Sequence, residues 1–276
     1  MPSVTIAVTL DKKLETKMSN PFFLIAGPCA IEDEATAFKI AEHAKTVCDK
    51  HGIELIFKGS YKKANRSKLS SFTGIGDEKA LKILQKVGKE LRVDTITDVH
   101  ESHEPKMVSE YVTHLQIPAF LCRQTDLLVA AGETGCTVNL KKGQFLSPEA
   151  LSFGLEKIKS SGNEKVWLCE RGTTFGYSDL IVDATSIVRL KAHGAPVVMD
   201  CTHAVQKPNT TSGVTGGDPD MIGTLAVHAI ATGADGLFME IHPDPKSALS
   251  DPMTMLQMDR LEAIIEKCVR VKAAVS

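Results

Sequence analysis

Aromatic residues are scarce, at 5 % of 276, with one Trp and three Tyr. Nor is there an excess of positive charge: 32 Lys and Arg stand against 34 Asp and Glu. A general nucleic-acid binder needs a basic surface interleaved with rings, so both shortages exclude that class. No run approaches the roughly 20 apolar residues of a membrane span, and Phe22–Ala26 reads instead as a buried strand. The opening residues lack a basic start followed by an apolar block, so no secretory signal is expected. The seven cysteines (29, 48, 122, 136, 169, 201 and 268) are odd in number and never form C-x-x-C. That spacing excludes a disulfide framework and predicts reduced thiols in the cytoplasm. No G-x-G-x-x-G follows a strand, since Gly74-Ile75-Gly76 lacks the third glycine; the dinucleotide fingerprint is therefore missing. Neither a linker nor a repeat interrupts the chain, which predicts a single domain over 1–276.

What is present is a globular chain, 43 % apolar with a net charge of −2, well outside the disordered range. Short apolar runs alternate with longer amphipathic segments eight times. The runs fall at 22–26, 53–57, 93–97, 114–117, 136–140, 166–169, 196–200 and 236–240. Several are continuously apolar, as strands covered on both faces must be. Helical patterns span Asp33–Lys50, Asp77–Leu91, Pro148–Ser161, Asp179–Ala192, Asp218–Thr232 and Met253–Ala273. Ser147-Pro148-Glu149 and Ser250-Asp251-Pro252 read as helix caps followed by a first-turn Pro. Eight such units predict a (β/α)8 barrel, with an open doubly wound sheet as the alternative. The alternating stretch Val4–Leu10 predicts a short N-terminal β extension capping one end.

In such a barrel the chemistry sits at the C-terminal strand ends. Polar residues do follow each run, among them Cys29, Lys58, Ser60, Asp98, His100, Lys141, Arg171, Asp200, His203 and Glu240. The loop after the second run is the most unusual. Lys58, Lys62, Lys63, Arg66 and Lys68 crowd together, with no acid between Gly59 and Gly76. A solvated face is the plain alternative. Ser60, Asn65 and Ser67, however, interleave short hydrogen-bonding groups suited to phosphate oxygens. With Lys141 and Arg171 from other strand ends, these cations predict a polyanionic substrate or two phosphorylated ones. Cys29, His203, Glu240 and Asp251 supply a thiolate, an imidazole and two carboxylates, a donor set for a divalent ion such as zinc or iron. Each also has a plainer role open to it: Cys29 in the core, Asp251 capping the last helix, Glu240 pairing with a Lys. The cluster His100-Glu101-Ser102-His103 reads as solvated loop.

The segments AGPCAIE (26–32), KANRS (63–67), TDVHE (97–101), QIPAFLCRQTDLL (116–128), NLKKGQFLSP (139–148), CERGTTFGY (169–177), CTHAVQ (201–206) and MEIHPDP (239–245) carry a resemblance over nearly the whole chain. It resembles the 3-deoxy-D-manno-octulosonate 8-phosphate synthases. The resemblance implies a barrel that condenses phosphoenolpyruvate with D-arabinose 5-phosphate and water, feeding lipopolysaccharide-type sugar synthesis. It further implies Lys58, Lys63, Lys141 and Arg171 as phosphoenolpyruvate cations. Asn65, Arg66 and Ser67 become the clamp for the sugar phosphate, with Ser60, Asp98 and Gln116 also binding substrate. Cys after Gly-Pro implies the metal-dependent branch, with Cys29, His203, Glu240 and Asp251 holding zinc, iron or manganese. Cys29, Lys63, His203 and Asp251 would then be catalytic, and the assembly a homotetramer. Tyr61-Lys62, Lys68 and Ile241 depart from the usual Phe-Asp, Ser and Thr, and loop 207–219 matches poorly. The alternatives are a heptulosonate 7-phosphate synthase, a Schiff-base aldolase using Lys58 or Lys141, and a non-catalytic sugar-phosphate binder.

Overall fold

A computed structural model describes residues 22–66, 68–208 and 215–276. The expected strand Val4–Leu10 and the clamp residue Ser67 lie outside the described residues. Eight parallel strands form the barrel: β1 (Phe23–Gly27), β2 (Glu54–Lys58), β3 (Asp94–Asp98), β4 (His114–Ile117), β5 (Thr137–Lys141), β6 (Val166–Glu170), β7 (Val197–Asp200) and β8 (Gly236–His242). They pair in sequence order, and β8 closes the ring by pairing with β1, Gly27 opposite Glu240. Closure thus sets Cys29, two residues beyond β1, beside the end of β8.

Helices α1 (Glu34–His51), α2 (Asp77–Leu91), α3 (Glu104–Val108), α4 (Thr125–Glu133), α5 (Ser152–Lys159), α6 (Ser186–Lys191), α7 (Ile222–Ala231) and α8 (Leu261–Val275) follow the eight strands in turn. α1 starts where the Asp33 carboxylate accepts the Thr36 N–H at 2.8 Å, and it stops at Gly52, whose φ of 64° suits a left-handed cap. Strand side chains alternate between two apolar layers. Outward residues such as Leu24, Phe57 and Leu168 meet the helices. Inward residues Ile25, Ile56, Ile96, Cys169, Val198 and Phe238 fill the barrel interior. The core is therefore packed up to Phe238, and the polar site rests on top of it. No helix among the described residues is long and apolar enough to cross a membrane.

Three expected elements differ. Residues Asp179–Ile181 are not helical but pair antiparallel with Thr173–Phe175. Gly176, with φ of 64°, turns the chain back, and the Asp183 carboxylate then takes the Thr185 N–H at 2.8 Å, so α6 begins only at Ser186. The helix expected from Met253 begins at Leu261, because Leu256–Gln257 instead extends the sheet beside Ile241–His242. Asp251 is consequently no helix cap; it sits in a loop in the left-handed region, with φ of 47°. The cluster around His100 also departs from expectation. Glu101, Ser102 and His103 are exposed, but His100 is drawn in by Glu104, whose carboxylate accepts its N–H at 2.6 Å.

Candidate active site

The C-terminal strand ends open into a cavity of about 430 Å³. Of the cavity's cations, the Lys141 ammonium lies over the buried Phe238 ring, 3.9 Å from the centroid. Lys58 approaches the same ring at 5.6 Å, a separation at which ring and cation attract. Lys58, Lys63, Arg66, Lys141 and Arg171 all line the cavity, as do Asp98, Glu240 and Asp251. Cations outnumber carboxylates, so the site favours an anionic guest.

Each strand end places its group through a buried partner. Lys58 Nζ donates to Glu240 Oε1 at 2.7 Å and to the Cys29 carbonyl at 3.0 Å, tying β2 to β1 and β8. Asp98 accepts from Gln116 Nε2 at 2.5 Å and from the Ser60 hydroxyl. Gln116 in turn accepts from Asn139 Nδ2 at 2.9 Å, so its amide orientation is set from β5. Burial alone would raise the Asp98 pKa, but Lys58, Lys63 and Lys141 carry it well below the usual carboxylate range. Lys141 Nζ donates to Asp200 Oδ2 at 2.6 Å. Burial opposes the Lys141 charge, yet Asp200 wins and its pKa is raised. Arg171 Nη2 donates to Gln206 Oε1 at 2.6 Å, while its buried Nη1 has no protein partner. That free N–H is what a fork awaiting a phosphate or carboxylate oxygen requires.

The other flank holds the thiol. Cys29 Sγ donates to Asp251 Oδ2 at 3.0 Å and lies 2.9 Å from the Ser250 hydroxyl. Cys29, Glu240 and Asp251 present ligand atoms all within 4.8 Å of one another. Burial, then the charge of Glu240, push the Cys29 thiol up to about 12. Glu240 Oε2 is buried with no hydrogen-bond partner, an orphan of the kind a cation satisfies. Burial would raise the Glu240 pKa, but Lys58, His203 and Lys63 hold it well below the usual range. His203 stands beside this trio rather than within it. Its Nε2 is 3.7 Å from Glu240 Oε2, and its Nδ1 meets Asp200 Oδ2 at 2.8 Å.

On the sugar-phosphate side, Arg66 Nη2 donates to the Ser250 hydroxyl at 2.7 Å and lies 3.6 Å from Asp251 Oδ2. Asn65 lines the same cavity. For Lys63, burial works against the charge, yet Cys29, Glu240, Asp98 and Asp251 raise its pKa. The described residues expected at the site therefore converge on one mouth, Ser60 through its bond to Asp98. The sequence pattern gives no place in the site to Asp200, Gln206, Gln144, Asn139, His100 or Ser250. Asp200 and His100 were visible as polar residues at strand ends, but nothing in the spacing gives their partners.

Fold and site together define a (β/α)8 barrel whose mouth gathers anion-binding cations beside a thiol–carboxylate trio. The model of the DAHP synthetase I family matches residues 5–276, and the chain belongs to that family. Three curated relatives carry the name 2-dehydro-3-deoxyphosphooctonate aldolase. The one from Koribacter versatilis is 47 % identical over 257 residues, covering 92 % of each chain. That from Bartonella tribocorum is 49 % identical over 246 residues, covering 89 % of this chain and 88 % of its own. A third, from a Cyanothece species, is 44 % identical over 273 residues and 99 % of both.

Proposed function

We propose that the barrel condenses phosphoenolpyruvate with D-arabinose 5-phosphate and water to give 3-deoxy-D-manno-octulosonate 8-phosphate and inorganic phosphate. The carrying observation is the cavity itself, with cations from β2, β5 and β6 facing a trio of thiol and carboxylates across one space. The relatives' name supports it, because a three-carbon enol phosphate and a five-carbon sugar phosphate sum to the eight-carbon acid that name describes. A heptulosonate would need a four-carbon partner.

The enol's methylene carbon bonds to the aldehyde carbon, and the aldehyde oxygen takes up a proton. Water adds to the adjacent carbon and gives up a proton; the carbon–oxygen bond to phosphate then breaks, and phosphate leaves. Lys58, Lys63, Lys141 and Arg171 bind the enol phosphate, and the free Arg171 Nη1 is aimed at one of its oxygens. Asn65, Arg66 and Ser67 hold the sugar phosphate. Asp98, fixed by Ser60 and Gln116, meets sugar hydroxyls. Such orientation and charge placement each contribute several kcal/mol.

The donor set fits a divalent ion: two carboxylates and a thiol converge, and Glu240 Oε2 accepts no hydrogen bond. Cys29, Glu240 and Asp251 would hold it, with His203 completing the set. When bound, such an ion supplies Lewis acidity and lowers the pKa of water it meets. A Schiff base on Lys141 is disfavoured, because a nucleophilic lysine needs a lowered pKa, whereas burial at Lys141 is outweighed by Asp200 and its pKa is raised.

We further read the chain as one cytoplasmic domain that assembles into homotetramers. Exposed apolar rings outside the cavity, such as those of Phe145 and Phe153, are surface that such an assembly would cover. The test of function is to mix the protein with phosphoenolpyruvate and a panel of sugar phosphates, with and without chelator, and follow inorganic phosphate. Release only with arabinose 5-phosphate, lost with chelator, is expected. Release with no sugar phosphate at all overturns the reading.

A further inference from the structure

Lys142 and Glu170 are buried charges that the reaction above leaves without a task. Their exposures are 0 % and 1 %. Their sequence neighbours Lys141 and Arg171 face the cavity, but these two do not. Strand alternation explains the difference: if Lys141 and Arg171 point inward, the residues adjacent to them point outward, behind the site.

Lys142 Nζ lies 3.4 Å from Glu170 Oε1. It also donates to Thr173 Oγ1 at 3.1 Å and to the carbonyls of Leu146 at 3.2 Å and Gly172 at 3.3 Å. Glu170 Oε1 accepts the consecutive N–H groups of Arg171 at 2.9 Å and Gly172 at 2.7 Å, a wrap made available by the Gly172 φ of 90°. The loops after β5 and β6 are joined a second time where the Thr174 N–H donates to the Gln144 carbonyl at 3.0 Å. A buried ion pair adds little net stability over an apolar pair of the same shape, while its hydrogen bonds fix the backbone around it. Here the backbone so fixed carries Lys141 and Arg171.

We propose that the Lys142–Glu170 pair is a positioning device for the enol-phosphate half of the site, holding Lys141 and Arg171 at a set separation. The inference rests on those two cations binding phosphoenolpyruvate. Among the described residues the pair touches neither Asn65 nor Arg66 of the sugar-phosphate clamp, so its effect is confined to one substrate.

The experiment compares wild type with Glu170→Gln, which keeps shape and an acceptor but removes the charge, and with Lys142→Met. Steady-state phosphate release gives kcat and both KM values. The KM for phosphoenolpyruvate is expected to rise about tenfold or more, as misplacement of a binding group implies. The KM for arabinose 5-phosphate should move by less than about twofold. General loosening would raise both together, and that result, or no change in either, overturns the proposal. If Lys142→Met does not fold, Glu170→Gln decides alone. Lys141→Met is the control: were it also to leave the phosphoenolpyruvate KM unmoved, the assignment of the site, not the device, would be at fault.

Discussion

Replacing Asp200 with Asn removes one negative charge from beneath the site while keeping its volume. Asp200 is fully buried and accepts from Lys141 Nζ at 2.6 Å, His203 Nδ1 at 2.8 Å and the His203 N–H at 2.9 Å. Asn retains one acceptor but turns an N–H2 toward a donor and leaves the buried Lys141 ammonium without its counter-charge. Breaking a buried pair in this way costs about 3–5 kcal/mol. For a domain of this size each kcal/mol lowers Tm by about 2–4 °C, so a fall of roughly 6–20 °C is expected by differential scanning calorimetry. The pH dependence has a definite sign. Burial opposes the Asp200 charge, but His203 and Lys141 hold its folded-state pKa far below the ordinary value. Its contribution is therefore complete above an unfolded-state pKa of about 3.9 and fades as pH falls below that. The Tm gap between wild type and variant should be constant near neutrality and shrink below about pH 4. Turnover should fall as well, since Lys141 and His203 both lose their anchor. A variant melting within about 2 °C of wild type at pH 7, with unchanged turnover, would refute the argument.

Cys29→Ala should abolish both bound divalent metal, read by atomic absorption after dialysis, and phosphate release; full activity in a metal-free variant contradicts the assignment of the trio. Arg66→Ala removes a charged hydrogen-bond donor worth about 1.5–3 kcal/mol. The KM for the sugar phosphate should therefore rise about tenfold or more, with that for phosphoenolpyruvate little changed; equal rises would remove Arg66 from the clamp. Gly27→Ala would place a Cβ 1.8 Å from the Lys58 carbonyl oxygen. That atom is backbone of the neighbouring strand and cannot swing aside, so the cost should reach or exceed the upper end of the usual 1–3 kcal/mol or so for overpacking. A soluble variant with wild-type Tm would show that β1 and β2 can separate.

Much of the barrel is legible in the sequence because its strands are short apolar runs bounded by helices of clear period. Asp77–Leu91 is read to the residue, and the pattern Asp33–Lys50 falls within one residue of α1 at each end. Errors fall where local pattern and tertiary pairing disagree. Asp179-Leu180-Ile181 carries apolar residues at a spacing that also fits a helix, yet the turn at Gly176 commits it to a hairpin. Ser250-Asp251-Pro252 has the letters of a helix cap, but Asp251 is turned toward Cys29 instead. At the site, residue types and strand-end positions suffice to nominate Lys58, Asp98, Lys141, Arg171 and Glu240. Partnerships are not legible: that Lys58 holds Glu240, or that Asp200 serves Lys141 and His203 together, depends on ring closure and register. The departure Lys62 becomes intelligible only in three dimensions, where its ammonium donates to the buried Glu104 at 3.1 Å. That bond ties the cationic loop to the segment bearing His100.

Product identity is the most direct measurement of the central claim. The metal-loaded protein is incubated with phosphoenolpyruvate and arabinose 5-phosphate, and the product is isolated and weighed by mass spectrometry. A single eight-carbon keto acid bearing one phosphate, formed in step with inorganic phosphate, is predicted. A covalent lysine adduct trapped by borohydride, or turnover only with erythrose 4-phosphate, would contradict it.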